Sequence, residues 1–270
     1  MSGRRGFAAV LAVVALASAS AVRAAGVPNI AAAADLQFAL TDVATEFRRT
    51  RGQDVRLSFG SSGNFRRQIA DGAPFEMFLS ADASYVDALA AERRTEDAGR
   101  VYAIGRLALL TPRDSPLAPD PDLRNIASAI ADGRLRKFAI ANPEHAPYGR
   151  AARQALMRAG VWTAIEPHLV LGENVSQAAQ FALSGAAQGG IVAYSLARSP
   201  TMAARGVFTL LPAALHDPLV QKMVLVRGAG ATAHAFYDFL QQPAARVILL
   251  RYGFEAPSPA SASAMPGTRR

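Results

Sequence analysis

Residues 27–49 read VPNIAAAADLQFALTDVATEFRR, and this stretch decides the fold. Val27–Ala33 is short, apolar and uninterrupted, the pattern of a strand buried on both faces. From Leu36 to Arg49 the period changes, and Phe38, Ala39, Val43 and Phe47 fall on one side of an amphipathic helix. A strand that enters a helix through four alanines and an aspartate is the opening half of a strand–helix–strand unit. The alanines mark backbone that something approaches closely. Asp35 leaves open what that something is.

The same alternation continues outward. DVRLSFG alternates as a strand does, and NFRRQIADG is a short helix ended by Gly72. FEMFLSAD is a strand and ASYVDALAAE a helix. Three strand–helix repeats argue a parallel sheet with crossover helices. VYAIGRLALLTPRD is two strand-like pieces joined at Gly105–Arg106. Beyond Pro112 come a helix in DLRNIASAIADGRL, a strand in KFAIANP and a helix in GRAARQALMRAG, closed by Gly160. A strand in PHLVLG, a helix in NVSQAAQFALSG, a strand running into a turn in QGGIVAYSLA and a strand in GVFTLLP follow. PLVQKMVLVRG is strand-like, and TAHAFYDFLQQPAARVILLRYGF holds one or two helices about Pro243.

The expected architecture is therefore α/β with two lobes, each a mostly parallel sheet flanked by helices, the second inserted into the first. Lobe I is expected over residues 25–108 and 219–256 and lobe II over 109–218, with crossings near Leu107–Thr111 and Leu219–Val226.

Ahead of this lies a targeting segment over residues 1–24. Arg4 and Arg5 form its charged start, Phe7–Ala17 its apolar run, and AVRA offers small residues for cleavage after Ala24. The run is too short to span a membrane. The mature protein is expected to be exported to the periplasm. Losing Arg4, Arg5 and Arg23 lowers its formal charge of +8 by three. The remaining basicity is dispersed and favours an anionic ligand or simply a solvated surface. Residues 257–270, rich in Pro, Ser and Ala, are expected to be a disordered tail.

Several chemistries are excluded by what the chain lacks. It has no cysteine, so disulfides, thiolate–zinc sites and cysteine nucleophiles are ruled out. It has no G-x-x-x-x-G-K-[ST] loop and no G-x-S-x-G elbow. His145, His168, His216 and His234 are scattered without metal-ligand spacing. Basic residues are not interleaved with aromatics, which argues against nucleic acid.

What the chain has is a set of small-residue turns between strands and helices: AAAADL, FGSSGNF, PEHAPYGRAARQAL and GENVSQ. Each helix start leaves unpaired N–H groups and a partial positive charge. In open α/β sheets such turns gather at the carboxyl ends of the strands, where ligands bind. Four of them facing one cleft make an anion site without a lysine. Ser61, Ser62 and Tyr148 add hydroxyls, and Gly60 and Gly63 allow close approach. Ordinary helix capping explains any one of these turns equally well.

With these stretches in view, the chain resembles the periplasmic molybdate-binding proteins of ABC importers, which have the type II periplasmic-binding fold. The resemblance runs over about residues 27–255. Its most specific parts are the run from Ser61 to Asp82 and the NPEHAPYG turn; GENVSQA, GIVAYS and FYDFLQQPAARVILLRYGF also match. It implies a binding protein rather than an enzyme, monomeric, without cofactor or directly bound metal ion. Molybdate or tungstate would be the transported ligand and an inner-membrane ABC permease the partner. It also implies ligand contacts at Asp35, Ser62, Tyr148, Val175 and Tyr194. Ser62 would give a hydroxyl and N–H, and Val175 a backbone N–H. Tyr148 stands at the contributing position between HAP and G. Two positions depart from the family. Asp35 stands where many members have a ligand-binding serine. Ala193 stands where they have a ligand-contacting tyrosine, with Tyr194 one residue later as the candidate for that contact.

Asp35 is the harder departure. A molybdate-like dianion has only acceptor oxygens, and an ionised carboxylate also only accepts. At 4 Å and an effective dielectric near 20, such a like-charge pair costs about 4 kcal/mol. Asp35 could turn away or cap its own helix, the reading favoured here. It could be protonated. The ligand could carry a proton, as a phosphate- or arsenate-like monoanion does, or be a small organic acid. An enzyme built on Asp35 and His145 has no support in spacing.

Overall fold

The structure is a computed structural model that describes residues 26–257. The targeting segment lies outside the described residues, as does all of the expected tail except Pro257. The elements run β1 (Asn29–Ala33), a 3-10 turn (Ala34–Leu36), α1 (Gln37–Arg51), β2 (Arg56–Gly60), α2 (Ser62–Ala70), β3 (Met77–Ser80), α3 (Ala83–Ala91), β4 (Arg100–Gly105) and β5 (Leu107–Pro112). They continue α4 (Asn125–Ala131), β6 (Phe138–Ala141), α5 (Pro147–Arg158), α6 (Trp162–Ile165), β7 (Leu169–Gly172), α7 (Val175–Leu183), β8 (Gly190–Ala193), α8 (Tyr194–Ala197), α9 (Pro200–Ala203), β9 (Gly206–Leu210), β10 (Leu219–Leu225), α10 (Ala231–Leu240) and α11 (Pro243–Arg251).

Two five-stranded sheets carry the fold, in orders β2-β1-β3-β10-β4 and β7-β6-β8-β5-β9. In each, the first three strands pair in parallel and the fourth is antiparallel to both neighbours. That fourth strand, β10 or β5, has just arrived from the other sheet. Each sheet thus keeps four strands pointing one way and takes in one crossing strand.

The first change of sheet falls at Arg106, because Leu107 and Ala108 already pair with Ala193 and Val192. The sequence boundary at 108 had left these two residues in lobe I. Arg106 pins the crossing: its guanidinium donates to Leu211 O at 3.0 Å and pairs with Glu255. Leu211 begins the return segment, which reaches the first sheet at Leu219.

The alanine run has a packing explanation. In β1, Ala31 joins the core on one face of the first sheet and Ala32 the core on the other, as alternation demands. Ala33 and Ala34 join neither; they pack into the core of the second lobe. Small side chains here let the two lobes touch. Helix α1 buries Ala39, Leu40, Val43 and Phe47, and Phe47 meets the rings of Phe236 and Phe239 at 5.1 and 5.4 Å. Phe38 leaves that face and packs against the second lobe. Gly52 ends the helix with φ 66°, a left-handed value that glycine adopts without strain.

Candidate functional site

Three helix N-termini and the Ala34–Leu36 turn meet over one cleft. Lobe I brings Ala33–Asp35 and Ser61–Ser62; lobe II brings Pro147–Tyr148 and Asn174–Val175. Ser62 and Val175 open α2 and α7, so their N–H groups have no acceptor within their own helices. Tyr148 is the second residue of α5, behind Pro147, and its N–H is orphaned in the same way. Asn174 caps α7 by accepting from Ser176 N and Gln177 N at 3.0 Å each, which orients the turn and leaves Val175 N–H to the cleft. Ser62 Oγ accepts from Ala81 N at 3.0 Å. Its own O–H has no acceptor among the described residues and remains available to a ligand.

The walls touch. Gly63 N and Ser61 Oγ in lobe I both donate to His145 O in lobe II, at 3.0 and 2.6 Å. A side chain at Gly63 would meet that carbonyl: a Cβ there lies 2.6 Å from His145 O. Next to these contacts Arg150 of α5 pairs with Asp82 and donates to Tyr85 Oη at 2.6 Å, tying α5 to α3. The space left between the walls is about 10 Å³, room for about one water. An anion of four oxygens enters only if the lobes part.

Asp35 is fully buried and lines this cleft, but it does not cap its helix. Its Oδ2 accepts from Gln221 Nε2 at 2.6 Å, while Oδ1 has no partner. Gln221 lies on the crossing strand β10. Its amide also donates to Tyr148 Oη at 3.1 Å, and its oxygen accepts from Tyr102 Oη at 2.6 Å. Burial pushes the Asp35 carboxyl up to about 6, against stabilisation from Gln221, the Tyr148 hydroxyl and the nearby backbone N–H groups of Asp35 and Leu36. Burial and the Asp35 charge hold the Tyr148 and Tyr102 phenols well above their ordinary range. The Tyr148 hydroxyl fits because Gly105 has no side chain; a Cβ there would lie 2.3 Å from it.

The structure thus gathers Asp35, Ser62, Tyr148 and Val175 around one cleft. Tyr148 offers its backbone N–H to the cleft, while its hydroxyl accepts from Gln221 and lies beside the Asp35 carboxyl. Tyr194 is not among the residues lining the cleft. Its ring packs on Phe208, its hydroxyl accepts from Arg198 at 3.0 Å, and Gly253 leaves room for it on the far side. A tyrosine one residue past the end of β8 points away from a residue at the strand end, and Ala193 leaves the cleft without that hydroxyl.

Sequence reasoning missed Gln221, Tyr102 and the Arg150–Asp82 pair. The readable signal was Gln221–Lys222 inside the otherwise apolar run PLVQKMVL, because polar groups buried in a strand need partners. His145 also belongs to the cleft rim, with Nδ1 2.9 Å from Ser61 Oγ and Nε2 3.5 Å from Glu173. No hydrogen bond joins it to Asp35. A wider groove of about 690 Å³ beside the cleft is lined by the pairs Asp82–Arg150 and Lys222–Asp87, by Asp217, which pairs with Arg158, and by Arg100. Among the described residues no cluster of three or more His, Asp or Glu could hold a metal ion.

Known proteins share this arrangement. Residues 28–255 match the family model for bacterial extracellular solute-binding proteins. The chain is 36% identical over 234 residues to the molybdate-binding protein ModA of Rhodobacter capsulatus, covering 86% of this chain and 89% of that protein. It is 34% identical to ModA of Escherichia coli K12, covering 84% and 88%. The solved periplasmic molybdate-binding protein of Azotobacter vinelandii superposes with a TM-score of 0.76 at 29% identity, over 86% of this chain and all of that one. A two-sheet fold, a cleft of helix N-termini and these likenesses agree: the chain belongs to the bacterial extracellular solute-binding protein family.

Proposed function

We propose that this protein is a periplasmic receptor that binds a small tetrahedral oxyanion, molybdate or tungstate, and delivers it as a monomer to an inner-membrane ABC permease. The observation that carries the reading is the meeting of helix starts from both lobes over one cleft that offers donors and no cation. Backbone N–H groups of Ser62, Tyr148 and Val175 and the Ser62 hydroxyl would hold the oxygens, with no bond to the metal itself. The relatives named for molybdate binding support the choice of anion. The two lobes close over the anion by hinge motion at Arg106 and at residues 211–218. The protein performs no chemistry on its ligand. Cavity size would separate molybdate from sulfate, since both offer four acceptor oxygens.

A second reading, a phosphate- or arsenate-like anion that carries its own proton, is favoured by the unpartnered Asp35 oxygen. Calorimetric titration of the ligand-stripped protein with molybdate, tungstate, sulfate, phosphate and arsenate decides between them. Binding of molybdate and tungstate alone upholds the first reading; binding of phosphate or arsenate installs the second. Ser62→Ala should weaken binding by about tenfold or more, the worth of a hydrogen bond to a charged group. An unchanged affinity would remove Ser62 from the site.

A further inference from the structure

Among the described residues, Asp35 is the only carboxylate lining the cleft, and no lysine, arginine or histidine side chain lines it. Oδ2 is occupied by Gln221; Oδ1 is buried and unpartnered. Toward a fully deprotonated oxyanion, that oxygen is a second acceptor and a like charge in a dry place. One proton repairs both faults. Placed on Oδ1, it converts the acceptor into an O–H donor, cancels the charge and leaves the Gln221 bond intact. We propose that the receptor takes up its dianion together with one proton, shared between Asp35 Oδ1 and an oxygen of the anion. The proton comes from solvent, and no bond of the anion breaks. This deepens the oxyanion reading and rests on it.

The surroundings single out Asp35 as the proton's seat. The elements against the Ala34–Leu36 turn include α1, α7, α8 and β2, and β10 and α5 reach Asp35 through Gln221 and Tyr148; on these two, Lys222 pairs with Asp87 and Arg150 with Asp82. Helix α7 carries no ionisable side chain, and the Tyr194 of α8 is bound to Arg198. On β2, Arg56 sits at the far end beside Asn29. On α1, Asp42 bonds Tyr252 and Arg251, Glu46 pairs with Arg49, Arg48 with Asp54, and Arg51 donates to Gln242. The groups that do face the carboxyl are Tyr148 and Tyr102, neutral phenols, the Gln221 amide and the backbone N–H groups of Asp35 and Leu36. At the rim, His145 lies 3.5 Å from Glu173, and Asp82 pairs with Arg150. Burial already lifts the Asp35 carboxyl to about 6 in the empty protein, and an adjacent dianion lifts it further.

The test is titration with sodium molybdate in buffers of different ionisation enthalpy. At about pH 8 the wild type should take up about one proton per anion, and at about pH 5, where Asp35 already holds its proton, only a small fraction of one. Affinity should weaken by up to about tenfold per pH unit above about pH 7. Asp35→Asn should bind without proton uptake and without that pH dependence, because an amide donates permanently. His145→Gln should keep the uptake. Binding by the wild type with no uptake at the higher pH overturns the inference on its own, whether or not the variants fold. Uptake that persists in Asp35→Asn or vanishes in His145→Gln overturns it too. If molybdate does not bind at all, the molybdate reading itself falls, and this inference with it.

Discussion

At the scale of single residues, burial decides the character of Asp35. A carboxyl raised from 3.8 to about 6 binds its proton more tightly in the folded protein than in the unfolded chain. Its contribution therefore favours folding below the lower value, fades as pH rises between the two, and is a full penalty above about 6. The shift corresponds to about 3 kcal/mol. Asp35→Asn keeps the Gln221 bond through its amide oxygen and removes the buried charge. We expect its apo form to melt at a higher temperature than wild type at about pH 7.5, with the gap closing toward pH 4. A variant less stable than wild type at the higher pH would show that the ionised carboxylate is satisfied by its surroundings. Asp35 was legible in the sequence as an oddity, since an acceptor stood where donors belong. Its partners were not legible: Gln221 lies 186 residues away on a crossing strand, and nothing local announces that pairing.

At the scale of elements, α2 shows how a helix start can serve two lobes. Its first turn packs against its own strand, and Gly63 simultaneously meets His145 of the other lobe. Gly63→Ala improves helix propensity by up to about 1 kcal/mol. It also places a Cβ against the His145 carbonyl that the closed lobes cannot accommodate. The variant should fold as stably as wild type yet bind molybdate more weakly by an order of magnitude or more, as calorimetry and thermal melting would show together. Equal affinity would mean that the lobes do not close to this contact when loaded. The type and order of the longer elements were readable because most strands are short apolar or alternating runs and most long helices have their own period, several with a glycine or proline boundary. The edges that sequence missed are tertiary. Phe38 shares a helix with Phe47 yet packs against the other lobe, and Tyr194 looks like a strand-end tyrosine yet turns behind the sheet.

At the scale of the whole molecule, polar ties between the lobes, the Arg150–Asp82 pair and the contacts to His145 O, add to the packing of Ala33, Ala34 and Phe38 against the second lobe. The Arg150–Asp82 pair is partly exposed, with side-chain accessibilities of 37% and 30%, so solvent screens it to about 1 kcal/mol or less. Spread over an open–closed equilibrium, that is about a fivefold change in population. Arg150→Gln should therefore enlarge the radius of gyration of the apo protein in solution scattering and weaken molybdate binding a few fold, with little change in melting temperature. An unchanged scattering profile would assign closure to Ser61, Gly63 and the buried Gln221 cluster instead. What the sequence by itself determined is the main strands and long helices, the two-lobe α/β class and the small-residue turns at helix starts, because periodicity and turn chemistry are local; the four-residue helices α6, α8 and α9 are too short to show a period. Only the tertiary structure decided which turns share a cleft, where the chain changes sheet, that Tyr194 faces away and that Asp35 is held by Gln221. Those facts depend on side chains distant in sequence meeting in a low-dielectric interior, where each buried polar atom must find a partner or remain, like Asp35 Oδ1, an acceptor awaiting a proton.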